Sequence, residues 1–197
     1  MCNDKYKTIL ETRVGEGFYS EKRSKFFAFA HHVCSSMESL DIVKTYRKRF
    51  YDARHCCYAY VIGADRSEFR AVDDGEPSST AGKPILGQIN SNSLTNILVV
   101  VVRYYGGINL GTSGLIEAYR TAAAAAISNC IIEERFIEEH IKFAFSYLKM
   151  NVVMRIIKDM KPRIIDQSFD NMCEMVVSIR QSRAQEFRER LDKVLFD

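Results

Sequence analysis

The sequence predicts an α/β protein of the α+β kind, with one domain over residues 1–135 and a second over 137–197. Strand-like and helix-like stretches alternate along the first part of the chain. A strongly apolar run at 97–103 precedes a glycine-rich turn and an alanine-rich helix. Beyond residue 136 the pattern becomes β-α-β-β-α. The 197 residues suffice for one large domain or two small ones.

The composition excludes several classes of protein. Hydrophobic residues make up 47% and charged residues 27%, which are globular values, so a disordered or low-complexity chain is excluded. The formal charge of +3 does not by itself imply a polyanionic partner. A membrane span needs about 20 consecutive apolar residues, and the chain has no such run or apolar leader, so we expect a cytoplasmic protein without membrane contact.

The cysteines argue against a metal or redox centre. No CxxC pair occurs, so neither a zinc ribbon nor a redox motif is indicated, and we expect no metal and no cofactor. In the cytosol the thiols should be reduced. The six cysteines are Cys2, Cys34, Cys56, Cys57, Cys130 and Cys173.

The first strands and helix follow from apolar spacing. Residues 18–33 read as a strand, and 56–62 as a second one. Between them, Ser35-x-x-Glu38 forms a capping box that starts a helix. The apolar residues of this helix recur at helical spacing and should face a core; they are Leu40, Val43, Tyr46 and Phe50.

The middle of the chain contains a loop, a buried strand and a helix. Residues 70–83 are rich in Asp, Gly, Pro, Ser and Thr and are predicted to form a loop, with a short ordered piece at 84–89. The run 97–103 is too apolar for a half-exposed strand and should be buried on both faces. A helix from 113 to 128 follows, and its five alanines favour close packing against a sheet.

The C-terminal stretch predicts a small open-faced sandwich. Residues 139–147 alternate like a half-buried strand, and 152–160 carry a helical apolar stripe. Strands at 164–168 and 173–179 should flank a turn at Asp170-Asn171. Ser182 is predicted to cap a last helix, whose inner residues are Phe187, Leu191, Val194 and Leu195.

The glycine-rich turn is a candidate anion site. A helix N-terminus offers free N–H groups and the positive end of its dipole, and glycines allow close approach of a phosphate. The pattern is neither GxGxxG nor a P-loop, and a tight turn whose glycines serve only backbone geometry explains it equally well. The candidate residues are Arg103, Gly106, Gly107, Gly111, Thr112 and Ser113.

Asp73, Asp74 and Glu76 form a second candidate site. Three carboxylates in five residues could act as a general base or hold Mg²⁺. An acidic turn that caps backbone N–H groups is the favoured interpretation. The pair formed by His55 with Cys56 or Cys57 is set aside, because adjacent strand residues point to opposite faces.

Several blocks, in order, resemble the IMPACT/YigZ family along essentially the whole chain. The central ones are Thr80-Ala81-Gly82-Lys83-Pro84-Ile85-Leu86, Val100-Val101-Val102-Arg103-Tyr104-Tyr105-Gly106-Gly107, Leu110-Gly111-Thr112-x-Gly114-Leu115 and Ala118-Tyr119. The upstream blocks are Arg23-Ser24-Lys25-Phe26, Asp52-Ala53-Arg54-His55 and Asp73-Asp74-Gly75-Glu76-Pro77.

The resemblance implies an N-terminal domain like elongation factor G domain IV, a fold shared with a ribosomal-protein domain, and a ferredoxin-like C-terminal domain. It also implies a role in translational control. We therefore expect a non-catalytic module that binds structured RNA or the ribosome; the alternative is an enzyme acting on a phosphorylated small molecule. The sequence leaves the oligomeric state open. The basic residues expected to contact RNA are Lys25, Arg54, Lys83 and Arg103.

Overall fold

The computed structural model describes residues 4–170 and 172–195. The chain divides into two compact units, the first of which runs from Tyr6 to Arg135. The second comprises the described residues from Phe136 onward together with Asp4 and Lys5. The structure therefore differs from the predicted boundary at the N-terminus, where Asp4 binds Arg180 and Ser182 of the second unit.

The first unit is a five-stranded sheet with helices on both faces. Every pairing in this sheet is antiparallel, and the strand order is β2-β3-β6-β4-β5. Strands β1 and β7 form a separate two-stranded sheet. The elements are β1 (Lys5–Ile9), β2 (Gly15–Glu21), β3 (Ser24–His32), α1 (Ser36–Arg49), β4 (His55–Ile62), β5 (Glu68–Val72), α2 (Gly82–Ser91), β6 (Ile97–Tyr104), α3 (Gly111–Ser128) and β7 (Ile132–Phe136).

Strand β6 lies at the centre of this sheet and is buried on both faces, as its apolar run predicts. Val99 and Val101 belong to the core beneath α2 and α3. Val100 and Val102 belong to the core beneath α1. Helices on both sides thus bury an antiparallel strand as fully as is usual in parallel sheets.

Helix α3 packs very closely against β2. A Cβ atom at Gly17 would come within 2.4 Å of the Ala126 backbone nitrogen and 2.7 Å of the Ala122 carbonyl oxygen. Ala122 and Ala126 are fully buried. Small residues on both elements therefore set the distance between helix and strand, as the alanine run predicts.

Helix α1 begins with the predicted capping box. Ser35 Oγ accepts a hydrogen bond from the Glu38 N–H at 3.2 Å. The reciprocal bond is shifted by one residue, because Glu38 Oε2 accepts from the N–H of Cys34, which precedes the N-cap residue Ser35, at 2.8 Å. The buried face carries Val43 and Tyr46, which confirms the predicted orientation of the helix.

Two predicted segments are wrong in detail. The single strand at 18–33 is a hairpin, because Lys22 and Arg23 take positive φ values of 45° and 66° and turn the chain without glycine. The predicted loop at 70–83 starts inside β5 and ends inside α2. Strand β5 is a short edge strand that is exposed along nearly its whole length, and its end merges into a segment rich in loop-forming residues, so it was not recognised.

The second unit has the predicted β-α-β-β-α order. Its sheet is antiparallel with the order β8-β10-β9, whereas a complete ferredoxin-like motif has a further strand at its end. Ser182 does not cap the last helix, which already begins at Gln181. Asn171 and Cys2 lie outside the described residues. The elements are β8 (Glu138–Phe145), α4 (Met150–Met160), β9 (Arg163–Phe169), β10 (Cys173–Arg180) and α5 (Gln181–Leu195).

Candidate functional site

An open cleft of about 640 Å³ lies in the first unit, where the carboxyl end of β6 meets the start of β4 and the first turn of α3. The loop between β5 and α2 forms another wall. We call this feature the cleft. Its lining residues are Arg54, His55, Glu76, Pro77, Arg103, Tyr105, Asn109, Leu110, Gly111, Thr112 and Leu115.

A buried ion pair forms the floor of the cleft. Arg103 Nη1 lies 2.5 Å from Glu76 Oε1, and the two side chains are only 6% and 3% exposed. The Arg103 guanidinium also lies 5.5 Å from the ring centroids of Phe26 and Tyr105. The charge of Glu76 is therefore compensated from beneath by an arginine that two aromatic rings hold in place.

A chain of hydroxyl and thiol groups supports Glu76 from α3 and β4. The Tyr119 hydroxyl donates to Glu76 Oε1 at 2.8 Å, and the Cys57 thiol lies 3.3 Å from the Tyr119 oxygen. Burial raises the pKa of Tyr119 and that of Cys57 well above their usual values. Both groups are therefore protonated, which leaves the Arg103–Glu76 pair as the charged element of this network.

His55 lies beside the ion pair. Its Nδ1 is 2.8 Å from the Asp74 carbonyl oxygen, and its Nε2 is 3.7 Å from Glu76 Oε1. His55 and Cys57 are two residues apart on β4 and therefore lie on the same face of the sheet. The prediction that His55 and its cysteine neighbours point to opposite faces is therefore wrong for Cys57. It holds for Cys56, which lies in the core beneath α1. Cys57 is fully buried with a raised pKa, so its thiol is a poor nucleophile.

Asp73 serves the backbone of the loop that leads into α2. Its carboxylate accepts hydrogen bonds from the N–H groups of Ser79, Ala81 and Gly82 at 2.8 to 3.0 Å. Burial raises the pKa of Asp73, but these hydrogen bonds and nearby Lys83 outweigh burial and lower it overall. The acidic-turn interpretation therefore accounts for Asp73.

Asp74 has a similar structural task at the start of β4. It accepts a hydrogen bond from the Cys56 N–H at 2.7 Å and pairs with Arg47 of α1. Neither Asp73 nor Asp74 lines the cleft, so of the three candidate catalytic carboxylates only Glu76 reaches it. Within residues 4–170 and 172–195, no group of acidic, histidine and cysteine side chains is arranged to hold a metal ion.

The first turn of α3 opens into the cleft. The helix begins at Gly111, whose φ is +73°, and no side chain in the described part of the chain caps its first N–H groups. Gly111 and Thr112 line the cleft, and Thr112 is exposed. The free N–H groups and the positive end of an 18-residue helix therefore face the space above the ion pair.

Gly106 has a different task from the one predicted. A Cβ atom there would lie 2.1 Å from the backbone carbon of Arg23, and its N–H donates to Ser24 Oγ at 3.2 Å. This glycine therefore lets the β2–β3 turn pack against the end of β6. Gly107 has a φ of +83° and open space around it, which fits the simple turn interpretation.

The structure brings four of the nine predicted anion-binding residues to the cleft: Arg54, Arg103, Gly111 and Thr112. Arg54 is exposed, whereas the Arg103 guanidinium already pairs with Glu76. The other five do not line it: Lys25, Lys83, Gly106, Gly107 and Ser113. Tyr119 belongs to one of the sequence blocks that resemble the family, but sequence reasoning gave it no role in the site, because a tyrosine among apolar helix positions reads as core.

Comparisons with known proteins agree on one family. A family model described as the Impact N-terminal domain matches residues 22–127, which include every residue lining the cleft. The Escherichia coli protein "IMPACT family member YigZ" is 31% identical over 172 residues, or 86% of this chain and 84% of that protein.

Solved structures extend the likeness to the fold. A crystal structure described as that of a hypothetical protein is 28% identical, covers 96% of this chain and 92% of its own, and has a TM-score of 0.74. The structure of the two-domain translational regulator Yih1 is 25% identical over 59% of this chain and 47% of its own, with a TM-score of 0.40. The second likeness is too low to carry function across. No helix in the described part of the chain is long and apolar enough to cross a membrane.

Proposed function

The chain belongs to the IMPACT family, and on that premise we propose that it regulates translation by binding structured RNA or ribosomal particles through the cleft, without catalysis. The sequence resemblance supports the link to translational control. The cleft supports an anionic partner. Cytoplasmic location belongs to the same proposal, because translation takes place there.

One observation carries this proposal: the uncapped first turn of α3 and the exposed Arg54 share one cleft with a neutralised carboxylate. Backbone N–H groups at a helix start and a free guanidinium are favoured partners of phosphate oxygens.

The test is a titration of labelled structured RNA at 50 and 200 mM salt. For three or four phosphate contacts, affinity of the parent protein should fall roughly 10- to 100-fold between these concentrations. Thr112→Glu should weaken binding at both, because a carboxylate then competes with phosphate at the start of α3. The same change should stabilise the helix by about 0.3–1 kcal/mol, so unfolding cannot explain a loss.

Arg54→Ala should weaken binding and reduce its salt dependence, because it removes one phosphate contact. Arg70→Ala is the matched control: Arg70 is an exposed arginine on β5 and does not line the cleft. This control variant should bind the RNA with an affinity within about twofold of that of the parent protein. If the parent protein shows no salt-sensitive RNA binding, the proposal is wrong.

The alternative, an enzyme acting on a phosphorylated small molecule, rests on a different observation. Glu76 and His55 face the cleft next to the helix start that would hold the phosphate. A carboxylate and an imidazole so placed can exchange protons with a substrate. Under this alternative His55→Ala abolishes turnover of a phosphorylated metabolite and RNA affinity is negligible, whereas RNA affinity without turnover supports the binding module.

A further inference from the structure

A second pocket, of about 560 Å³, lies at the β2 edge of the five-stranded sheet. Phe27 and Phe29 point to the α1 side of the sheet, whereas Arg103 and the cleft lie on the α3 side. The pocket and the cleft share no lining residue. The residues lining this aromatic pocket are Glu16, Gly17, Phe18, Phe27, Phe29, Arg49, Phe50, Ala125 and Asn129.

The aromatic pocket presents rings on two neighbouring strands. Phe18 of β2 and Phe27 of β3 are directly opposite in the register, with ring centroids 5.1 Å apart. Phe50 stacks beside Phe27 at 6.2 Å and 18° between the ring planes. Phe18 is 55% exposed, so much of its ring is accessible to a ligand. The exposed ring of Phe18 beside the half-buried ring of Phe27 is suited to stack with an unpaired base.

Two cations flank the rings. The Arg49 guanidinium lies 5.2 Å from the Phe50 ring centroid and 5.9 Å from that of Phe29. Lys25 is exposed and precedes Phe27 by two residues on β3, so it lies on the same face of the sheet. Glu16 also lines the pocket, opposite Phe29 in the register, so phosphates are expected on the side of Arg49 and Lys25. On that side rings for bases and cations for phosphates occur together, which favours nucleic acid over an apolar protein segment.

We propose that the aromatic pocket binds an unpaired base of single-stranded RNA, which stacks on Phe18 and Phe27 while Arg49 and Lys25 contact the flanking phosphates. The inference rests on the proposed function and deepens it: the RNA partner has to contain unpaired nucleotides as well as phosphates for the cleft. It also gives Lys25 a role that the cleft does not provide.

The experiment compares two labelled single-stranded RNAs of ten nucleotides, one normal and one in which every base is missing. Both carry the same phosphates, so only base stacking distinguishes them. The variants are Phe18→Leu, which keeps an apolar side chain without a ring, and Phe18→Trp, which keeps the ring. Phe69→Leu is the matched control, because Phe69 is 63% exposed on β5 at the opposite edge of the same sheet.

The parent protein, Phe18→Trp and Phe69→Leu should bind the normal RNA about 5- to 100-fold more tightly than the abasic RNA, the range expected for stacking of one base. Phe18→Leu should bind both RNAs with similar affinity and unfold at the parent's temperature. If the parent binds both RNAs equally and Thr112→Glu still weakens that binding, the proposal for the aromatic pocket is wrong and the proposal for the cleft stands. A Phe18→Leu variant that discriminates like the parent also overturns it. Loss of all salt-sensitive RNA binding instead refutes the proposed function.

Discussion

Replacing Arg103 by methionine tests the buried ion pair at the floor of the cleft. The change keeps a long unbranched side chain but leaves the Glu76 carboxylate, which is 3% exposed, without its cation. Removing one partner of a buried pair costs about 3–5 kcal/mol. The Tyr119 hydroxyl still donates to Glu76 at 2.8 Å, so we expect a value near the lower end, about 3 kcal/mol.

Urea unfolding, monitored by tyrosine fluorescence, measures this loss in the free energy of unfolding of the first unit. The chain has no tryptophan, and nine of its ten tyrosines lie between residues 6 and 135. The signal therefore reports almost entirely on the first unit. With a slope of about 2 kcal/mol per molar urea, Arg103→Met should lower the midpoint by about 1.5 M.

The double variant Arg103→Met with Glu76→Gln separates charge from packing. It leaves no unpaired charge in the core, so it should recover at least half of the stability lost in Arg103→Met. Arg70→Met, on the exposed strand β5, should change stability by less than about 0.5 kcal/mol. If the double variant loses as much as both single variants added together, the two side chains are not coupled and the account of the cleft floor is wrong.

Three further outcomes are expected. In the same urea assay, Gly17→Ala should destabilise the first unit by about 1–3 kcal/mol, because the added Cβ has no room against α3. Gly87→Ala should stabilise it by about 0.5–1 kcal/mol, because Gly87 lies in the exposed middle of α2 and an added Cβ meets no described atom within 4 Å. Hydrogen bonds from Arg180 and Ser182 lower the pKa of Asp4 to about 2, so its contribution is fully present above pH 4 and is lost as pH falls through about 2. Calorimetry should show Asp4→Asn with a lower Tm than the parent at pH 5, and most of this difference should be gone at pH 2. Limited proteolysis of the full chain should cut near 135–137, and main cleavage inside 97–128 would contradict the division into two domains.

Local sequence patterns were enough to predict much of the fold. The apolar run of β6, the capping box of α1 and the alanines of α3 each act within a few residues, so their conformations can be read from spacing. The β-α-β-β-α order of the second unit followed for the same reason. The exposed edge β5 was missed because it is short and has no buried face, and the turn between β2 and β3 was missed because no glycine marks it.

The family also followed from the sequence, because the matching blocks are runs of particular residues in a fixed order. Their tasks did not. Asp73, Asp74 and Glu76 are alike in composition and adjacent in sequence, yet the first two cap backbone N–H groups and only the third reaches the cleft. The loop's conformation decides this division, and it depends on contacts with α2 and β4.

Long-range packing alone decided what the charged residues face. The sequence leaves open whether Arg103 contacts a phosphate or pairs with the carboxylates at 73–76. The structure pairs it with Glu76, 27 residues earlier, and Tyr119 joins them from 43 residues beyond Glu76. Lys25 and Arg54 both read as candidate phosphate contacts. The pleat of β3 places Lys25 beside the aromatic pocket, whereas the start of β4 places Arg54 in the cleft. Side-chain direction depends on register and on which layer covers each face, and these exist only once distant segments have come together.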